Sequence, residues 1–148
     1  MQVLDTCVFD LEPINIGTNN IGTNDLSDSR IPMESIMEHY DSIITSIEER
    51  LPKIEIYLMA YYPVNYEAAS ENMKECLKIR SNEKITAANA LVKKLAEKHG
   101  QRYIDINKNL KDEQGRLKAE YTIEGLHINE NGYRAIFGDF IKYLTEER

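Results

Sequence analysis

"KIEIYLMAYY", residues 53–62, is an almost continuous apolar run that ends at Pro63. Such a run is typical of a strand that helices cover on both faces, because a half-exposed strand would alternate apolar and polar residues. A second short strand is predicted at 102–106, "RYIDI", and a weaker one at 14–22. Parallel strands joined by crossover helices are the economical arrangement of these segments, so the sequence predicts an α/β fold.

Two helices are predicted in the first third of the chain. Apolar residues recur at helical spacing over residues 3–11, and Pro13 ends that helix. Pro32 suits the first turn of the next helix. The apolar side of this second helix is predicted to consist of Ile36, Tyr40, Ile43, Ile44, Ile47 and Leu51.

The second half of the chain is also predicted to be mainly helical. Residues 71–98 form a long helix with a break near Ser81, and Gly100 marks its end. Residues 107–120 are polar and are predicted to be a loop, and Asn129 can cap a last helix. The apolar face of that helix is predicted to carry Ile136, Phe137, Phe140, Ile141 and Leu144.

Composition indicates one globular domain over residues 1–148 and argues against several partners. The net charge of −7 disfavours a nucleic-acid surface, because phosphate binding needs clustered Lys and Arg. No apolar run approaches the ~20 residues that span a membrane, and no basic region precedes the first apolar residues, as it would in a secretory signal. Cys7 and Cys76 are too few and too far apart for a disulfide framework or a zinc site, which favours a reducing, cytoplasmic setting. We expect neither a metal nor a cofactor.

Polar residues follow each predicted strand, at the edge where open α/β sheets bind ligands. Asn24 can donate a hydrogen bond to a developing oxyanion, and a simple polar turn is the alternative reading. His127 follows Glu124 by three residues, so the carboxylate can fix the tautomer of the imidazole and leave the other ring nitrogen as a base. The alternative is that His127 only helps to begin the last helix. His39 and His99 are expected to be surface residues.

Residues 14–25, "INIGTNNIGTND", contain nearly the same four residues twice. Only the second copy, residues 21–24, is followed by Asp. It also leaves eight residues after Pro13, which is enough for a strand, whereas the first copy leaves three. The second copy is therefore predicted to be the working motif, and the first copy to occupy the strand.

Two segments about a hundred residues apart resemble one known family. "IGTNDLSD", residues 21–28, resembles the Gly-x-Asn-Asp segment of the SGNH, or GDSL-type, esterases and lipases. "YTIEGLHINENGY", residues 121–133, resembles their C-terminal Asp-x-x-His segment. The similarity is closest to small bacterial acylhydrolases related to platelet-activating-factor acetylhydrolase. It implies a flavodoxin-like, three-layer α/β/α fold with a parallel sheet in the order 2-1-3-4-5, and a small-molecule ester as substrate.

The resemblance also implies roles for individual residues. Asn24 would be an oxyanion donor, and Gly22 would allow the backbone to approach the substrate closely. His127 would be the general base that activates a serine and then protonates the leaving alcohol. Glu124 stands where the family has Asp, and its extra methylene requires the side chain to fold back toward His127.

The chain departs from the family in one respect. SGNH enzymes begin with a strand that leads to Gly-Asp-Ser, whose serine is the nucleophile, but none of the seven serines here follows Gly-Asp. The chain therefore resembles the C-terminal two-thirds of the family fold without its first strands. Two functions follow as expectations: an ester hydrolase represented by an incomplete chain that is inactive alone, or a non-catalytic α/β domain that folds or associates without turnover. The strand at 14–22 would lose its usual neighbour, and its open edge predicts self-association.

Overall fold

Four strands form one sheet in the computed structural model, which describes the backbone of residues 8–11, 14–19 and 21–145 and the side chains of 21–145. The strands are β1 (Val8–Leu11), β2 (Ile14–Asn19), β3 (Glu55–Met59) and β4 (Arg102–Ile104). They lie side by side in chain order, and β2, β3 and β4 are parallel. The α/β fold with a parallel sheet is confirmed.

The first strand corrects the prediction for the start of the chain. Residues 8–11 form β1 rather than part of a helix, and β1 pairs antiparallel with β2. The rest of the predicted helix, residues 3–7, lies outside the described residues. A short apolar run fits either helix or strand, and the backbone groups along the edge of β2 favour the strand. The prediction of an open edge on β2 is therefore wrong, since β1 occupies that position and becomes the outer strand.

Four α-helices accompany the strands within the described residues. They are α1 (Met33–Arg50), α2 (Glu71–Ile79), α3 (Asn82–His99) and α4 (Glu130–Thr145). The predicted break near Ser81 is confirmed, because the Ser81 hydroxyl accepts a hydrogen bond from the backbone N–H of Lys84 at 3.2 Å and caps α3. Gly100 ends α3 in the left-handed conformation, with φ of 64°.

The strand β3 separates two apolar cores. Ile56 and Leu58 lie in a core that includes residues of α1 and α3, whereas Tyr57 lies in a second core that includes Ile136 of α4. Successive side chains of a strand point to opposite faces of a sheet, so this alternation puts helices on both faces. The three-layer α/β/α arrangement that the family resemblance implied is confirmed.

Two segments differ in detail from their predictions. In α4, Ile136 is buried, but Phe137 and Ile141 are 63% and 39% exposed, so the apolar face predicted for this helix was too wide. Helical periodicity shows which side of a helix is apolar but not how much of it the rest of the protein covers. Residues 107–120 are not simply loop, because a short 3-10 helix spans Asn107–Leu110 and a second one, Ala119–Tyr121, begins at their end.

Candidate active site

The turn that follows β2, residues 22–25, is shaped by a glycine. Gly22 has φ of 79°, and a Cβ atom there would lie 2.6 Å from Cγ2 of Ile36. Only glycine fits this position, because other residues are strained at positive φ and would also clash. The carbonyl of Gly22 accepts a hydrogen bond from the N–H of Leu26 at 3.2 Å, and that of Asn24 accepts one from Ser27 at 3.0 Å. The Asn24 side chain is exposed and makes no capping bond to the short 3-10 helix that begins at Asp25.

The loop that carries His127 is held by a second glycine. Gly125 has φ of 89°, and a Cβ atom there would lie 2.3 Å from the carbonyl oxygen of Asn65. The backbone N–H of Asn65 donates to the carbonyl of Gly125 at 2.8 Å. The Thr122 hydroxyl donates to the carbonyl of His127 at 2.8 Å and accepts from the N–H of Gly125 at 2.9 Å. The backbone around His127 is therefore fixed by contacts on both sides.

Glu124 and His127 form the pair expected from their spacing. Oε1 of Glu124 accepts a hydrogen bond from the backbone N–H of His127 at 2.9 Å and also bonds Nδ1 of the imidazole. The side chain thus folds back, and its extra methylene does not prevent the contact. Burial raises the pKa of Glu124, but the hydrogen bonds from His127 outweigh it and hold the pKa below its ordinary value. An ionised carboxylate on Nδ1 favours the tautomer whose Nε2 can accept a proton, and the imidazole is 79% exposed.

Both candidate segments contact the residues that follow β3. The Tyr61 hydroxyl donates to the carbonyl of Ile21, next to the 22–25 turn, and Asn65 bonds Gly125 beside the histidine loop. Ile21 and Leu126 also pack against the same apolar core. Since β2 and β3 are parallel, the two segments lie at the carboxyl edge of the sheet. That Asn24 and His127 act on one substrate stays a prediction.

Comparison with known proteins decides the family. The model of the GDSL-like Lipase/Acylhydrolase family matches residues 8–135. The chain belongs to this family. The resemblance to the SGNH or GDSL-type family is thereby confirmed, and so is the fold that it implied.

Solved structures of GDSL-type proteins show the same fold. A protein of Streptococcus pneumonia assigned as a platelet activating factor is 34% identical, with a TM-score of 0.76 over 86% of this chain and 58% of that one. A GDSL-like lipase of Bacteroides thetaiotaomicron is 21% identical, with a TM-score of 0.61 over 86% of this chain and 62% of that one. The chain thus spans about three fifths of the length of either relative. A comparison with curated proteins found no match.

Two asparagines of this GDSL-type chain were not predicted as part of the site. The Asn89 amide accepts from the N–H of Tyr61 at 2.7 Å and donates to its carbonyl at 3.1 Å. Asn82 makes the same pair of bonds to Val64, at 2.9 Å each. The two asparagines are seven residues apart, or two helical turns, so α3 holds the segment between the two candidate loops at two points. The sequence signal that could have indicated this role was the presence of two Asn residues on the same face of the predicted helix.

His99 is not the surface residue that was expected. Its side chain is 8% exposed, with Nε2 2.6 Å from Oδ1 of Asp41 and Nδ1 2.8 Å from Oε2 of Glu48. Burial lowers the pKa of His99, but the two carboxylates outweigh it and raise the pKa above its ordinary value. This network joins α1 to α3 and is structural.

The lining of a second polar feature of the GDSL-type domain does not include the candidate pair. A charged groove beside Asn65 is lined by Glu67, Lys111, Arg116, Lys118 and Glu120, and not by Asn24, Glu124 or His127. Within the described residues, no group of three or more His, Cys, Asp and Glu side chains could hold a metal ion. In the same part of the chain, no helix has the length and apolar character that crossing a bilayer requires.

Proposed function

We propose that this chain supplies the general base and one oxyanion donor of a serine ester hydrolase acting on short acyl esters. The observation that carries the proposal is the Glu124 carboxylate bonded to Nδ1 of His127. With Nδ1 held, Nε2 takes the proton of a serine hydroxyl as it attacks the ester carbonyl, and then protonates the leaving alcohol. The Asn24 amide donates to the oxyanion. Gly22 supports it by letting the backbone of the turn pack closely against Ile36, where a Cβ would clash.

The same proposal holds that the chain alone does not turn over substrate. Acyl transfer through a covalent intermediate needs a nucleophile beside the base, and none of the seven serines follows Gly-Asp. Ser27 and Ser29 are the nearest to the motif, but Ser27 ends the short 3-10 helix and Ser29 follows it toward α1. The serine is then supplied by the part of the family fold that this chain does not span.

Hydrolysis of p-nitrophenyl acetate tests this function. The chain should hydrolyse it no faster than its His127→Ala variant does. When a segment that carries the Gly-Asp-Ser sequence of the family is added or fused, hydrolysis should exceed that control and should depend on both His127 and Asn24. If the isolated chain hydrolyses the ester faster than the His127→Ala control, and Ser27→Ala abolishes this activity, Ser27 is a substitute nucleophile and the proposal is overturned.

A second candidate is a non-catalytic domain that folds or associates without turnover. Tyr133, Phe137 and Ile141 support association, because they follow one another at four-residue spacing on α4 and are 59%, 63% and 39% exposed. The outer edge of β1 adds backbone groups that can pair with another copy. Light scattering across a dilution series should show a dimer or larger species, and a monodisperse monomer with cooperative unfolding would contradict association.

The remaining parts of the proposal concern organisation and setting. We propose that residues 1–148 belong to one domain, because the length and the family match over 8–135 both favour it. A reducing, cytoplasmic setting is proposed from the two widely separated cysteines alone. Fractionation of the source cells with an antibody to this chain would test the setting, and recovery outside the cytoplasm would contradict it.

A further inference from the structure

Arg80 is a buried arginine beside the 22–25 turn. It caps the end of α2 through its backbone, whose N–H donates to the carbonyl of Cys76 at 3.0 Å. Its side chain reaches across to the turn, where Nη2 donates to Oγ1 of Thr23 at 2.6 Å. The residue is only 6% exposed, and Thr23 precedes it by 57 positions, so the contact depends entirely on the tertiary fold.

No carboxylate in the described part of the chain balances the buried charge of Arg80. Within the described residues, no carboxylate forms an ion pair with Arg80, whereas Arg30, Arg116 and Arg134 each pair with at least one. Its Nε atom is buried without any hydrogen-bond partner there. A buried charge with an unsatisfied N–H costs free energy, and apolar replacements of such groups are often neutral or stabilising. The stability of the fold therefore does not explain why an arginine stands at this position.

The contacts around the turn indicate what Arg80 does. Three side chains from outside the turn hold it and its flanks. Tyr61 donates to the carbonyl of Ile21 and Lys84 to that of Leu26 at 2.7 Å, whereas Arg80 donates to the Thr23 hydroxyl within the turn. These contacts lie on both sides of Asn24, whose own side chain is exposed and makes no capping bond. A donor to an oxyanion must be held in place before the reaction, because reorganisation during the reaction would add to the barrier.

We propose that Arg80 is a positioning residue that holds the 22–25 turn, and with it Asn24, through its hydrogen bond to Thr23. The role rests on the proposed oxyanion function of Asn24, but the contact itself is testable without any substrate. Arg80 is retained at the expense of stability because the turn needs a rigid, long donor from the α2–α3 junction.

Hydrogen exchange of the turn measures this role directly. In Arg80→Met, the amides of Leu26, Ser27 and Asp28, which all bond within the turn, should exchange about tenfold faster or more, since bonds to a charged donor are strong. The urea midpoint of global unfolding should stay the same or rise. Arg102→Met is the matched control, because it removes a half-buried guanidinium from β4, and it should leave the exchange of the turn unchanged.

A second variant keeps the test independent of folding defects. Thr23→Val removes the acceptor and should speed exchange of the same amides by a similar factor. The double variant with Arg80→Met should exchange these amides no faster than either single variant. If Arg80→Met lowers the urea midpoint and speeds exchange uniformly over the protein, Arg80 is a structural residue and the proposal is overturned. Unchanged exchange of the turn amides in either variant would also overturn it. Failure of ester hydrolysis after fusion would count against the proposed function only, since exchange is measured without substrate.

Discussion

Replacement of Gly125 by alanine tests how tightly the histidine loop is built. The change adds two costs at this position. A residue other than glycine at φ of 89° costs about 1–2 kcal/mol. The new Cβ would also lie 2.3 Å from the carbonyl oxygen of Asn65 and 3.0 Å from Cα of Ala69, and such overpacking costs about 1–3 kcal/mol because backbone must move. We therefore expect Gly125→Ala to lower the free energy of unfolding by about 2–5 kcal/mol, the sum of these two ranges.

Gly115 provides the matched control for this experiment. It has a similar φ of 78°, but no heavy atom lies within 4 Å of the position that its Cβ would take. Gly115→Ala should therefore show the conformational cost alone, about 1–2 kcal/mol. Urea unfolding of both variants, followed by circular dichroism, gives the difference. Equal losses of stability would refute the reasoning, because they would show that the loop backbone moves away from the new Cβ without a cost in free energy.

Two further predictions concern the α1–α3 network and the segment after β3. The pKa of His99 is raised in the folded protein by Asp41 and Glu48, so its stabilising contribution is full below the unfolded pKa of about 6.5 and is lost as pH rises through the folded pKa. The urea midpoint should fall over that interval in the parent chain, and His99→Gln should remove this part of the pH dependence. Asn89→Ala should cost about 1–3 kcal/mol of stability, because it leaves the backbone N–H of Tyr61 without its partner, as urea unfolding will measure.

Exposed residues of the same types serve as controls. His39 lies exposed on α1, and His39→Gln should leave the pH dependence of the urea midpoint unchanged. Asn131 is exposed in the first turn of α4, and Asn131→Ala should change stability by less than about 0.5 kcal/mol. A pH profile that is the same with and without His99 would contradict the network, and an Asn89→Ala loss no larger than that of Asn131→Ala would contradict the second prediction.

Local signals in the sequence were sufficient for several elements. The apolar run at 53–62 contains β3, as predicted, because a short apolar run that ends at a proline is typical of a buried strand. The break at Ser81 and the end at Gly100 were predicted because a cap and a left-handed glycine act within one turn of the helix. The Glu124–His127 contact was suggested by the three-residue spacing, and contacts of Gly125 with Asn65 fix the loop in which it forms.

Other features depended on partners that lie far away in the chain. Residues 8–11 became a strand because β2 was available to pair with them, and a short apolar run does not show which neighbour it will meet. His99 is buried because α1 brings two carboxylates to it from 51 and 58 positions away. Phe137 is exposed because no described element covers that side of α4, although its periodicity matches that of a buried residue.

The sequence by itself predicted the family, the parallel strands and the spacing that brings Glu124 to His127, because these depend on short motifs and local patterns. The tertiary structure alone decided which side chains hold those motifs in place. Arg80 contacts Thr23 across 57 positions, and Asn65 meets Gly125 across 60. Such contacts depend on how the strands and helices pack, and the number of residues between two positions does not show whether packing brings them together.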